Sequence, residues 1–222
     1  MAGIVSVVSL GAVLTPPPEP VRSCAPCHHR AGNDPVGEWL ASPYSQIEGG
    51  RGCADCHGEK CSGNGEGARP FPRARVPGAA AHLTLSAACS KGRVEAEAVV
   101  TNLGAGHDLP TGPVDRSLVL QVTAHDREGV PLSTENSAPA AGPAARRVFA
   151  GGTGCEGARS RGRLAPFETD VSRYSFLHRG AGPVRVRARL FLTPRAGPCR
   201  EIAGATSVCN PSGNAASAGG RR

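Results

Sequence analysis

Two short motifs constrain this chain more than anything else in it. They are Cys24-Ala-Pro-Cys27-His28 and Cys53-Ala-Asp-Cys56-His57, both of the form C-x-x-C-H and both within residues 24–57. Around them, from about Val21 to His82, the chain is rich in Cys, His, Gly and Pro and shows little periodic hydrophobicity. A segment that irregular buries too little apolar surface to offset the entropy of ordering it. It needs a metal or a cofactor as its core. Only Pro35 to Gln46, which contains Trp39, Leu40 and Tyr44, reads as a short helix.

The C-x-x-C-H spacing has a chemical reason: it is the attachment pattern of c-type haem. Two thiols three residues apart reach the two vinyl groups on one edge of a porphyrin. The histidine that follows is then carried under the ring, where its imidazole binds iron as the proximal ligand. Cys24, Cys27, Cys53 and Cys56 are therefore the candidate thioether residues, His28 and His57 the candidate proximal ligands, and two covalently bound haem c the expected cofactors. Two other readings use the same cysteines. A C-x-x-C, a gap of 25 residues and a second C-x-x-C come close to a zinc ribbon, and paired thiols also serve as redox-active dithiols. Neither requires a histidine directly after the second cysteine, and here it occurs twice.

Composition agrees that bulky side chains do not hold this fold alone. Hydrophobic residues make up 39% of the 222 residues but aromatics only 4%, so a cofactor, disulfides or an extensive sheet must contribute. Five cysteines lie outside the motifs, Cys61, Cys89, Cys155, Cys199 and Cys209. Five cannot all pair within one chain, so one is free or bonded elsewhere; Cys199 with Cys209 and Cys61 with Cys89 are candidate pairings that the sequence leaves open. The formal net charge is +7, but the positive residues are nearly all Arg and are spread along the chain without interleaved aromatics. That pattern argues against nucleic acid as a partner. Arginines such as Arg69, Arg73 and Arg75 either pair with haem propionates or form a solvated surface.

The N-terminal run Met1 to Leu14 is apolar and is followed by Thr15-Pro-Pro-Pro18. It is too short to span a bilayer and suits the h-region of a signal peptide, although no basic residue precedes Arg22. The alternative is a buried first strand. Export to the periplasm or the cell exterior also suits the cysteine count, because disulfides persist in oxidising compartments. No stable transmembrane span is expected.

From about Leu83 to Thr193 the pattern changes to period two. Arg93 to Thr101, Ser117 to His125, Thr169 to Leu177 and Val184 to Leu192 all alternate, with turn signals at Asp126-Arg-Glu-Gly129 and Leu164-Ala-Pro-Phe-Glu168. Ser133 to Ala145 is a Pro/Ala-rich stretch without pattern, and the chain ends in small polar residues. The expected fold class is mainly β: an irregular, short-helical N-terminal di-haem segment followed by an antiparallel β-sandwich. The expected units are a signal-like segment at 1–20, the di-haem segment at 21–82, the β-sandwich at 83–200 and a flexible tail at 201–222.

Each haem iron has a sixth position. Met1 is the only methionine, so histidine is the expected distal ligand. His29 cannot turn back onto the iron held by its neighbour His28 and could serve only the other haem. His125 sits beside a turn and His178 ends a strand next to Arg179, so both are expected at the surface. His82, at the junction with the first strand, and His107, in a Gly-rich turn, are the better candidates. The missing side chains at Gly104 and Gly106 would let the backbone approach a flat ring. The alternative for each is a loop histidine hydrogen-bonded to backbone.

The order of C-x-x-C-H, Glu38-Trp-Leu-Ala-Ser-Pro-Tyr44 and a second C-x-x-C-H resembles the multihaem c-type cytochromes of bacteria, in which a short Trp-x-x-Ser helix commonly precedes a haem motif. Val99-Val-Thr-Asn-Leu-Gly-Ala-Gly-His107-Asp-Leu-Pro-Thr-Gly112 is similar to the N-x-G-A-G-H-x-x-P-T-G element that opens a β-rich module in some of them. The resemblance spans about Ser23 to Leu192 and supports both His82 and His107 as ligands. Family members often carry His where this chain has Tyr44. The resemblance implies an electron carrier that works with redox partner proteins, other multihaem cytochromes among them. The alternatives are a small haem oxidoreductase with one open iron site, or a zinc-stabilised β-domain.

Overall fold

The computed structural model describes residues 24–29, 34–46, 52–57, 80–90, 92–111, 116–135, 144–149, 162–193 and 198–211. The signal-like segment at 1–20, Arg69, Arg73, Arg75, Cys61, Cys155 and the tail after residue 211 lie outside the described residues.

The motif-bearing part is built from single helical turns. Helix α1 (Ala25–His28) carries four of the five residues of the first motif, and α3 (Cys53–His57) is the second motif itself. Between them lies α2 (Pro35–Leu40). Asp34 caps it, accepting a hydrogen bond from the Gly37 amide at 2.7 Å, and Pro35 occupies the first helical position, where its missing N–H costs nothing. Ser42 precedes Pro43 and is extended, as a residue before proline tends to be. The expected helix over 35–46 is therefore split into α2 and a 3-10 turn at Pro43–Ser45. Ala25, Val36 and Trp39 bury against one another with Tyr44 and Cys53 alongside, a core separate from the main one.

The rest is an antiparallel sandwich of strands β1 (Ala81–Ser90), β2 (Arg93–Asn102), β3 (Ser117–His125), β4 (Ala144–Phe149), β5 (Thr169–Leu177), β6 (Val184–Thr193) and β7 (Arg200–Cys209). One sheet has the order β1-β2-β5 and the other β4-β3-β6-β7. The alternation read from sequence maps onto the two faces. Val94, Ala96, Ala98 and Val100 of β2 point inward against Val184, Val186, Ala188 and Leu190 of β6, joined by Leu118, Leu120 and Val122 of β3. Side chains this small let the sheets pack closely, which is how a chain poor in aromatics builds a core. Each fully buried Val, Leu or Phe contributes about 1.5–3 kcal/mol.

Both open sides of the sandwich are tied. On one side the edge strands β1 and β7 are joined by a disulfide between Cys89 and Cys209, Cα atoms 5.4 Å apart. On the other, Arg147 of β4 and Asp170 of β5 form an ion pair that is largely shielded from solvent.

Five features differ from the sequence-based expectations. The disulfide pairs Cys89 with Cys209, whereas Cys61–Cys89 and Cys199–Cys209 were the candidate pairings; Cys199 is also disulfide-bonded. Strand β7 lies largely within the expected tail at 201–222, because β6 and the disulfide hold a stretch of small residues that has weak strand preference of its own. Strand β4 begins inside the stretch expected to lack pattern, Ser133 to Ala145. His178, expected at the surface, is buried: its amide donates to Gly92 O at 3.0 Å and its Nε2 donates to Gly182 O at 3.2 Å. His125, also expected at the surface, is half-buried.

Candidate functional site

The site forms where the motif-bearing helices meet the loop between β2 and β3. Asn102, at the end of β2, is fully buried and organises that loop. Its Nδ2 donates to His107 O at 2.9 Å and to Leu164 O at 3.1 Å, and its Oδ1 accepts from the Ala105 amide at 3.2 Å. Leu109 and Leu164 exchange backbone hydrogen bonds at 2.8 Å in both directions. The Asn and Gly residues of the N-x-G-A-G-H element thus build a fixed platform that presents His107.

Helix α2 docks on this platform. A Cβ at Gly106 would lie 2.6 Å from Cδ1 of Trp39, so the glycine is required by the indole. The flat ring that this turn approaches is Trp39. Glu38 reaches across to three donors: the Asp108 amide at 3.1 Å, Thr111 Oγ1 at 3.0 Å and Arg163 Nη1 at 2.9 Å. Tyr44 donates its hydroxyl to Leu103 O at 2.6 Å and stacks on Phe167, ring centres 5.1 Å apart. Phe167 adopts φ +65°, a conformation costly for a side chain of its size.

This docking brings His107 beside the second motif. The rings of His57 and His107 are parallel to within 17°, with centres 6.1 Å apart. An imidazole nitrogen sits about 2 Å from a bound metal, so two rings on opposite sides of one ion have centres roughly 6 Å apart. The spacing is thus compatible with two imidazoles that would share one metal ion, such as a haem iron. Nδ1 of His107 donates to Asp108 O at 2.9 Å, which leaves Nε2 as the nitrogen with a lone pair in the neutral ring. The loop hydrogen bond considered as an alternative role is thus present, and it has the form that orients a metal-ligating histidine. Burial, then the nearby His107 and His28, lower the pKa of His57 and favour the neutral form that can ligate.

The two motifs lie against each other. Cys24 is buried, Cys53 half-buried and Cys56 exposed. Burial, with the Cys24 thiol beside it, pushes the Cys53 thiol up to about 11. Reactive dithiols depend on a lowered thiol pKa, the opposite direction. The Cys27 side chain lies outside the described part of the structure.

Of the remaining candidates, His82 is the second residue of β1, at the start of the strand as the sequence suggested, opposite Thr101 and exposed between the inward-facing Ala81 and Leu83. His29 is exposed and pairs through Nδ1 with Asp34 at 2.7 Å. Sequence reasoning did not single out Glu38, Asn102, Arg163 or Phe167 as site residues. Glu38 and Asn102 stand inside the two quoted motifs, which was the available signal. Arg163 meets Glu38 across 125 residues of chain, and no local pattern announces that.

No protein-family model and no curated protein matches the sequence. Among solved structures, the fold is similar to a penta-haem cytochrome c552 from Thermochromatium tepidum, with a TM-score of 0.56 and 19% identity over 83% of this chain. This chain covers 55% of that protein, about half its length. Two β-domains match at lower scores. The CARDB domain of PF1109 from Pyrococcus furiosus has a TM-score of 0.34 and 15% identity, over 59% of this chain and 86% of that one. The C-terminal domain of Wzt has 0.38 and 7%, over 61% and 75%.

Proposed function

We propose that this protein is an exported di-haem c-type cytochrome that carries electrons. One haem is attached through Cys24 and Cys27 with His28 as proximal ligand, the other through Cys53 and Cys56 with His57. The observation that carries the reading is the parallel pair of His57 and His107, which offers the second iron imidazoles on both sides. A haem iron so ligated exchanges electrons without binding substrate. The protein's own contribution is to hold the two rings in place, and the loop anchored by Asn102 does this. The likeness in fold to a penta-haem cytochrome supports the reading. The Cys89–Cys209 disulfide supports an oxidising location such as the periplasm. Among the described residues no helix is long and apolar enough to cross a membrane. Partners on this reading are redox proteins, other multihaem cytochromes included.

A second reading, a haem oxidoreductase with one open iron, is favoured by Tyr44. It stands where members of the resembling family often carry His, and its hydroxyl is committed to Leu103 O. Expression in a host with cytochrome c maturation tests the first reading through the absorption spectrum and the haem-to-protein mass ratio. Two covalent haems per chain are expected, and a chain that loses all its haem to acid–acetone, or holds zinc at these cysteines, overturns it. Carbon monoxide binding by the unaltered reduced protein would favour the second reading.

A further inference from the structure

We infer that Glu38 is the positioning residue that holds His107 on the iron bound by His57, an inference that rests on the haem reading above. The peptide group joining His107 to Asp108 is gripped from both sides. Asn102 Nδ2 donates to its carbonyl at 2.9 Å, and its N–H donates to Glu38 Oε2 at 3.1 Å. Asn102 belongs to the sandwich, whereas Glu38 belongs to the segment between the two C-x-x-C-H motifs. Glu38 therefore supplies the half of the clamp that ties the distal histidine to the haem-bearing part of the chain.

The residue type matters. Oε2 takes both the Asp108 amide and the Thr111 hydroxyl at 3.0 Å, while Oε1 pairs with Arg163 at 2.9 Å. Glu38 and Arg163 are 15% and 25% exposed, so the pair is shielded and its hydrogen bonds are charge-assisted. A glutamine accepts through one oxygen only and turns N–H groups toward Arg163. Groups that orient a metal ligand without touching the metal typically change metal affinity roughly 10–100-fold when replaced.

The test uses the full, haem-loaded chain. Glu38→Gln and Thr111→Val are compared with the unaltered protein by absorption spectrum and by carbon monoxide titration of the reduced form. Glu38→Gln is expected to give one haem a high-spin fraction and to tighten its carbon monoxide binding by roughly 10–100-fold. The other haem is expected to stay unchanged, and Thr111→Val to shift the same haem less. Cys89→Ala with Cys209→Ala, which loosens the sandwich away from the clamp, is expected to leave both spectra alone. If that pair of changes opens the iron equally, Glu38 acts only through general stability and the inference fails. It also fails if Glu38→Gln matches the unaltered protein in spectrum and carbon monoxide binding. Should Glu38→Gln not accumulate, Thr111→Val decides on the same terms. An unaltered chain with no haem at Cys53 and Cys56 overturns the functional reading itself, and its own spectrum reveals that before any variant is compared.

Discussion

The rings of His107 and His57 are parallel to within 17° with centres 6.1 Å apart, one on a loop of the sandwich and the other on the single-turn helix of the second motif. Neither element could place its histidine there alone. The β2–β3 loop is set by Asn102, and α2 is set by Trp39 packing onto Gly106. The pair exists because those two surfaces fit.

Replacing His107 with Ala should leave both haems covalently attached, since the thioether cysteines are untouched. One iron should become high-spin and bind carbon monoxide, and its potential should shift, because axial ligation is a main determinant of it. The same change at His82, whose side chain projects from the outer face of β1, is expected to leave that iron as it was. A low-spin, six-coordinate spectrum from His107→Ala would remove this histidine from the ligand set.

The Cys89–Cys209 disulfide closes a loop of 120 residues. Long loops gain most from closure in the chain-entropy account, and natural disulfides of this kind typically contribute about 2–4 kcal/mol. Cys89→Ala, Cys209→Ala and the double variant should each lose that amount, and the losses should not add, because one bond is removed each time. Equilibrium unfolding in denaturant measures it. Additive losses would mean that side-chain packing, not the cross-link, is being read.

Tyr44 and Phe167 couple the helical segment to the sandwich through a stacked pair with ring centres 5.1 Å apart. Such pairs are worth about 0.5–1.5 kcal/mol beyond burial. A double-mutant cycle with Tyr44→Leu and Phe167→Leu should return a coupling in that range. Phe167→Gly should cost less than Phe167→Leu, because glycine relieves the backbone at φ +65°. Zero coupling would show that the stack contributes nothing to docking.

Burial raises the pKa of Tyr174 on β5 above its ordinary value. Its folded-state pKa then exceeds the unfolded one, near 10, so the folded state keeps its proton where the unfolded state releases it. The stability linked to this group is fully present below about pH 10 and declines as pH rises through the raised value. Tyr174→Phe should unfold with a flatter pH dependence above about pH 10 and be little changed at neutral pH. Identical alkaline profiles for the two proteins would assign the decline to other groups.

Strands β2, β3, β5 and β6 begin and end within a residue of the alternating runs read from the chain. In β2, β5 and β6 a buried face alternates with a more exposed one, while the second face of β3 is itself buried or half-buried; period two is the direct imprint of alternating faces. Strands β4 and β7 carry no such imprint. Ala144–Phe149 places two arginines in succession, and Arg200–Cys209 contains Gly204 among small residues; both become strands because β3 and β6 offer them a partner. Local pattern likewise marks the C-x-x-C-H motifs and the Gly-rich turn at His107, since thiol spacing and backbone freedom act over a few residues. It could not tell that Gly106 makes room for Trp39, that Glu38 meets Arg163, that Cys89 finds Cys209, or that His178 is covered by Gly92 and Gly182. Those outcomes depend on segments far apart in the chain meeting at one place. Only the packing of the helical segment onto the sandwich, and of one sheet onto the other, decides such meetings.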